Sequence, residues 1–206
     1  AIDTGLPARE EFPLFREFWI ERPEPGAGSL TVYALMDSPR ATGAFRYEIT
    51  PGLHTVIEVR QQVFMREAVA KIGIAPLTSM FWHGETTDRF MDDFRPEVHD
   101  SDGLVIENGT GERIWRPLVN PKGLRISGYA ALDPRAFGLL QRDREFANYQ
   151  DLEAHYHTRP SAVVEPLGPW GRGRIELVEI PSGAERYDNV VAFWVRGARI
   201  EAGSVL

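Results

Sequence analysis

The sequence predicts an all-β fold, a sandwich of about ten strands accompanied by a few short helices. Three observations carry this expectation. Period-two alternation rich in β-branched and aromatic residues recurs along the chain, with Gly, Pro, Asn or Asp punctuating the gaps. An Asn108-Gly109 step separates two alternating runs, and both residues tolerate the positive φ that tight hairpin turns need. Helical periodicity is confined to two short stretches.

Taken in order, EEFPLFREFWI places Pro13 at a first helical position and Phe15, Phe18 and Trp19 at i, i+3 and i+4, which predicts one or two helical turns with an apolar face. LTVYALMD, GAFRYEIT and HTVIEVRQQVFM read as strands, and GLVIENGTGERIW as a hairpin over residues 104–116. GLRISGYA, GRIELVEI and NVVAFWV supply further strands. In YQDLEAHY, Leu152 and Tyr156 are spaced to share one face of a second short helix, and the enclosing segment 146–160 breaks the alternation and ends at Pro160, as a loop covering a cleft would. The closing RGARIEAGSVL loses the alternation and resembles an exit into a linker. Trp19 and Trp194 sit in apolar runs and are expected in the core.

Composition bounds the function. The 206 residues are 43% hydrophobic and 26% charged, enough for one domain, or one and a fragment, with a real core. A formal charge of −7 with no basic run argues against a nucleic-acid partner. No apolar stretch is long enough to cross a bilayer, which predicts a soluble chain without stable membrane insertion. The first residue is Ala and no signal core follows, so the chain reads as a processed protein or a piece of something longer. With no cysteine, disulfides, thiolate metal sites and a Cys nucleophile are excluded, and both reducing and oxidising compartments stay open.

The densest chemistry lies in FRPEVHDSDGLVIENGTGERIWRPL, where strand-like runs are crowded by Arg95, Glu97, His99, Asp100, Asp102, Arg113 and Arg116. The Asp100-Ser101-Asp102-Gly103 step reads first as a turn, with Gly103 free to take positive φ; its glycine falls too early for a calcium loop. Glu97 and His99 share one side of an extended chain. A carboxyl beside another carboxylate in a desolvated cleft keeps its proton toward neutral pH, as a general acid must. The plainer reading is a charged strand end paired with Arg95, Arg113 and Arg116. Trp82, Trp115, Trp170, Tyr129 and Tyr149 lie among Gly, Arg, His and Asp, a setting that suits the stacking of sugar rings. His155 and His157 have no third partner at a metal-ligand spacing, so neither a metal nor another cofactor is assigned.

Longer strings are more specific. IAPLTSMFWHGE, FRPEVHDSDGLVIENGTGERIWRPLVNPK, FGLLQRDREFANYQDLEAHYHTRPSAVVEPLGPWGRGRIELVEIPS and DNVVAFW resemble the periplasmic glucan biosynthesis protein G and D family, and the likeness runs from about EEFPLFREFW to FWVRG. Members of that family have a large β-supersandwich domain, similar to galactose mutarotase, followed by a small immunoglobulin-like one. The resemblance implies that residues 1–196 are the later part of the large domain and that 197–206 start a linker toward the second, which this chain lacks. Unpaired edges and an exposed apolar face are then expected.

The resemblance further implies a periplasmic protein that makes or processes osmoregulated glucans, glucose oligomers linked β-1,2 with β-1,6 branches. Some members are similar to inverting glycoside hydrolases acting on β-1,2-glucan. The Asp of their E-x-H-D string maps onto Asp100 as general acid and the Glu onto Glu97. The base precedes the F-P-x-F-x-x-F-W string, where Glu10 and Glu11 stand; Glu11 is taken as the base, a substitution where relatives carry Asp. Trp82, His83, Arg95, His99, Arg113, Trp115, Arg116, Arg142 and Tyr149 are the expected substrate-binding residues. Expected partners are β-1,2-glucan, a second copy of the chain and a membrane glucosyltransferase. Hydrolysis and transglycosylation both fit, and the rival is a glucan-binding protein that assists backbone synthesis or branching without catalysis.

Overall fold

The computed structural model describes residues 1–7 and 9–206. The fold is all-β, with 46% of residues in strands and 3% in helices, so the sheets alone organise it. Fourteen strands are formed among the described residues, more than the ten expected, because several short pairings leave too brief an alternation to read. The chain divides into two compact units, 1–72 with 199–206, and 73–198.

The first unit is a four-stranded antiparallel sheet of β1 (Leu14–Ile20), β2 (Leu30–Asp37), β3 (Ala41–Thr50) and β4 (Val56–Met65), in that order. The helix expected at EEFPLFREFWI is instead the edge strand β1. A bulge between Phe15 and Glu17 explains the misleading spacing. The extra residue returns Phe15 and Phe18 to the same face, with ring centroids 5.8 Å apart, and so imitates an i, i+3 pattern. Cross-strand register puts Ile20, Val32, Tyr47 and Val59 in one row and Phe18, Ala34 and Phe45 in the next, an apolar face. Phe18 and Ile20 on it are 60% and 69% exposed. The opposite face carries the row Trp19, Tyr33, Arg46 and Arg60. Trp19, expected in the core, is therefore about half exposed, because it falls on the polar side of an edge strand.

Around this sheet, Ile2 bridges both Ile72 and Glu11, and the tail pairs with the end of β4 through Phe64↔Val205 and with the segment after it through Val69↔Ile200. The loss of alternation after residue 196 coincides with the return of the chain to its first unit.

The second unit is a sandwich. One sheet has the order β10 (Arg125–Leu132), β13 (Arg172–Glu179), β14 (Val190–Arg196), β5 (Gly73–Ser79); the other has β12 (Ala162–Val164), β11 (Ala136–Leu140), β8 (Gly103–Glu107), β9 (Arg113–Pro117). Alternate residues point inward, so Leu104, Ile106, Phe137, Leu139, Ile175, Leu177, Ala192 and Trp194 form one core. Each large side chain buried there stabilises the fold by about 1.5–3 kcal/mol. Trp194 is 1% exposed, as its apolar run predicts.

The hairpin of β8 and β9 pairs Glu107 with Arg113 and covers the expected span. Its turn differs from the expectation. The loop is longer than two residues, and Gly111, at φ 88, takes the left-handed conformation. Asn108 serves as a bracket whose side-chain oxygen accepts from Gly109 N and Leu132 N. Gly109 is required by closeness, since a Cβ there would meet the Leu132 carbonyl at 2.3 Å.

A two-stranded ribbon, β6 (Phe81–His83) with β7 (Val98–His99), completes the unit. The helix expected at YQDLEAHY is broken into α1 (Phe146–Tyr149) and a 3₁₀ turn at Tyr156–Thr158. Leu152 is exposed and Tyr156 buried, so they share no face. Asp151 is the reason: its Oδ1 accepts from Glu153 N and Ala154 N, a local turn that replaces the helical ladder. The segment 146–160 is fastened to the unit by Tyr149 and Tyr156, which pack with Met80 and Val98.

Candidate functional site

The ribbon positions the chemistry. Glu97 N donates to Asn148 O and Asp100 N donates to Met80 O, so the backbone on both sides of β7 is held. Strand alternation then sends Glu97 and His99 one way and Asp100 the other.

On the first side lies a cleft of about 530 Å³ lined by Phe81, Glu85, Thr86, Glu97, His99, Asp102, Trp115, Pro117, Arg142 and Asp143. His99 is nearly inaccessible, stacked on Phe81 at 5.1 Å between ring centroids. Its Nε2 stands 2.7 Å from Glu97 Oε2 and its Nδ1 2.9 Å from Gln141 Oε1. Trp115 and Arg142 line the same cleft, with the guanidinium 4.1 Å from the indole centroid. Such a cation–π pair holds the guanidinium against the ring, with its Nε 3.8 Å from Asp102 Oδ1. Asp102 accepts from Arg142 N and Asp143 N through Oδ2, and among the described residues its buried Oδ1 has no hydrogen-bond partner.

On the second side, burial pushes the Asp100 carboxyl above the usual carboxylate range, and Asp188 adds to this, against the opposing charges of Arg159 and His99. Arg159 Nε stands 3.1 Å from Asp100 Oδ1. The two atoms are close but misaligned, since neither makes a hydrogen bond among the described residues. The ion pair is correspondingly weak, and burial prevails.

The remaining expected residues are distributed as follows. The guanidinium of Arg95 is occupied by three carboxylates, donating to Asp93, Asp151 and Glu185. Its hydrogen bond to Asp93 holds that carboxyl down to about 2, against the cost of burial. Arg95 is thus the hub of a partly buried ionic frame. Tyr149 is fully buried in the small cluster with Met80, Val98 and Tyr156, its ring edge-on to His99 at 5.3 Å. Trp82 is half-buried, and its indole Nε1 has no hydrogen-bond partner among the described residues. His83 is buried, and desolvation pulls its imidazole below the ordinary value despite Asp93. Arg113 is exposed and pairs with Glu107 across the hairpin at 3.1 Å. Arg116 donates to the Pro117 carbonyl and lies 3.4 Å from the fully buried Glu179.

Glu11 belongs to the first unit. Its carboxylate accepts from Arg40 N at 3.1 Å and from Arg40 Nε at 3.0 Å, while Arg40 also pairs with the buried Asp3 at 2.5 Å. Burial raises the Glu11 carboxyl, but hydrogen bonds from Ser38 and Arg40 together with the charge of Arg40 outweigh it, and the net shift is downward.

The structure therefore brings Glu97, His99, Trp115 and Arg142 together in one cleft, with Asp100 across the strand. Sequence reasoning missed Gln141, Arg159 and Asp143. For Gln141 and Asp143 the signal was the QRDRE string directly after an apolar strand run, a place where polar side chains gather at the mouth of a sheet, whereas Arg159 lies outside it.

The sequence profile of the family described as periplasmic glucan biosynthesis protein, MdoG, matches residues 1–206. A glucans biosynthesis protein G of Ralstonia nicotianae is 59% identical over 195 residues, covering 95% of this chain and 39% of the relative. Glucans biosynthesis proteins G of Pseudomonas paraeruginosa and of Pseudomonas aeruginosa PAO1 are each 54% identical over 206 residues, all of this chain and 39% of theirs. The chain thus spans about two fifths of the length of these curated relatives.

Proposed function

The chain belongs to the family of periplasmic glucan biosynthesis proteins, and from that membership we propose that it is the part of a glucan-processing protein that holds a β-1,2-linked glucan and protonates its glycosidic oxygen. The observation that carries the proposal is the Asp100 carboxyl, half-buried and shifted upward by desolvation, with no hydrogen bond among the described residues committing its Oδ1. A carboxyl so placed keeps a proton to deliver to a departing oxygen. With inversion, water attacks the anomeric carbon from the opposite face, activated by a second carboxylate. That carboxylate is proposed to be Glu11, and transfer to a second sugar hydroxyl in place of water is the same step with another acceptor. Trp115 and Arg142 stand in the cleft on the other side of β7 from Asp100 and offer an aromatic and ionic wall for sugar units of the glucan beyond the one that is protonated.

A second reading has its own support. Glu11 is saturated by Arg40 and shifted downward, which makes it a poor proton acceptor and suits a structural role. On that reading the protein binds glucan and assists its synthesis or branching without cleaving it. The proposal also includes a second copy and a membrane glucosyltransferase as partners, and assigns residues 1–196 to the later part of a larger glucan domain with 197–206 leading to a linker. Among the described residues no helix is long and apolar enough to cross a membrane.

The deciding experiment is a product assay on the full-length protein with β-1,2-glucan. Asp100→Asn keeps the shape and removes the acid, so product formation is expected to vanish while oligosaccharide affinity persists. Full activity in that variant, or no product from the wild type, overturns the catalytic reading in favour of the binding one.

A further inference from the structure

Gln141 is 2% exposed, and its amide makes three hydrogen bonds in the second unit. Nε2 donates to the carbonyl oxygens of His99, at 2.9 Å, and Tyr156, at 3.0 Å. Both partners are acceptors only, so turning the amide round would set oxygen against oxygen. Oε1 is therefore the atom that faces His99 Nδ1, and that nitrogen must carry a hydrogen. Across the ring, a bare nitrogen 2.7 Å from a carboxylate oxygen would be repelled, so a second proton lies between His99 Nε2 and Glu97 Oε2.

The ring has little freedom to escape this arrangement. Phe81 is stacked on it, Tyr149 meets it edge-on, and a Cβ on Gly84 would stand 3.1 Å from its Cδ2. The ionisable groups around it are His83 from β6, Asp100 next in the chain, and Asp102 and Asp143 along the cleft. Among the described residues Glu97 is fixed through Oε2 alone. Among the described residues its Oε1 accepts no hydrogen bond, and the carboxyl lines the cleft.

We propose that Gln141 is a positioning residue whose amide holds a hydrogen on His99 Nδ1 and turns Nε2 toward Glu97, with which it shares a second proton, so that Glu97, anchored through Oε2, presents Oε1 to a sugar hydroxyl in the cleft. The sugar clause rests on the glucan reading above, whereas the proton arrangement stands on the hydrogen-bond network alone. Glu97 then acts as an acceptor for substrate, and Gln141 acts only through His99.

The test is nitrogen-15 NMR of the His99 ring in the full-length protein, assigned by its loss in His99→Asn and followed during titration with a linear β-1,2-glucooligosaccharide. The wild type is expected to show a protonated Nδ1 protected from exchange, and the oligosaccharide to move the His99 signals. Gln141→Leu is expected to lose that protection and to bind the oligosaccharide about tenfold more weakly. An unprotonated Nδ1 in the wild type overturns the proposal, and so does a folded Gln141→Leu that keeps both the protected proton and the affinity. If Gln141→Leu fails to fold, the wild-type spectrum decides by itself. A protonated Nδ1 whose signals ignore the oligosaccharide overturns the sugar clause and leaves the proton arrangement standing.

Discussion

The indole of Trp115 occupies the space in which a side chain at Gly103 would begin: a Cβ on Gly103 would stand 2.1 Å from Trp115 Cζ2. The two residues lie at neighbouring positions of the β8–β9 hairpin, and the missing side chain is what lets the ring settle against β8 beneath Arg142. Gly103 has no left-handed φ, so the turn role its DSDG context suggests is not the reason for a glycine; close approach is. Gly103→Ala is therefore expected to destabilise the protein by about 1–3 kcal/mol through overpacking. Trp115 would be displaced from Arg142 as well, so denaturant unfolding read by tryptophan fluorescence should show both a lower midpoint and a changed native spectrum.

Arg95 offers a larger effect. Its side chain is only 11% exposed and satisfies Asp93, Asp151 and Glu185. Arg95→Ala leaves three carboxylates facing one another without a cation and is expected to cost about 3–5 kcal/mol. Lysine should recover only part of this, since a point charge cannot replace a planar fork. Thermal melts of the two variants would check the order.

The same frame sets an acid limit on stability. Asp93 is lowered to about 2, chiefly by its hydrogen bond to Arg95, and Glu185 is lowered by the same arginine. A carboxyl depressed in the folded state contributes stability that is present above its unfolded value and is lost as pH falls toward the folded one. For Asp93 this is on the order of 1–2 kcal/mol, lost between about pH 4 and 2. Denaturant melts across that range should show a steeper loss in the wild type than in Asp93→Asn, which lacks the stabilising charge at every pH.

Arg40 separates the two readings of Glu11. Arg40→Met leaves the buried Asp3 unpaired and is expected to destabilise the first unit by about 3 kcal/mol, while the Glu11 carboxyl rises from its depressed position. Titration of that carboxyl by NMR would follow the shift. Glu11→Gln should lower turnover by orders of magnitude with little change in stability when Glu11 is the base, and should lower stability with turnover intact when it is structural.

How much of this was legible in the sequence differs from element to element. The core strands that were readable show burial on alternate positions: Leu104 and Ile106, Ile175 and Leu177, Ala192 and Trp194 each recur with period two. The edge strand β1 was not, since a single bulge at Phe15 gave its aromatics a helical spacing. The broken helix at 146–158 was hidden for a similar reason, as one carboxylate, Asp151, captured the backbone donors a helix would have used.

For the site, the chain by itself determined the residue types and their crowding between 94 and 118, because reactive side chains cluster where strands end, and it singled out Glu97, His99 and Asp100. Only the tertiary structure decided their company. Alternation along β7 sends Asp100 to the opposite side from its two neighbours, and Gln141, far along the chain, arrives at His99 through the β8–β11 pairing that no local pattern reports. Arg95 shows the same limit: an arginine beside aromatics reads as a ligand binder, yet Asp151 and Glu185, distant in sequence, occupy its donors. Local sequence specifies which groups are available, whereas hydrogen-bond partners are chosen by long-range strand register, and it is the partner that sets a group's charge, orientation and freedom to meet a ligand.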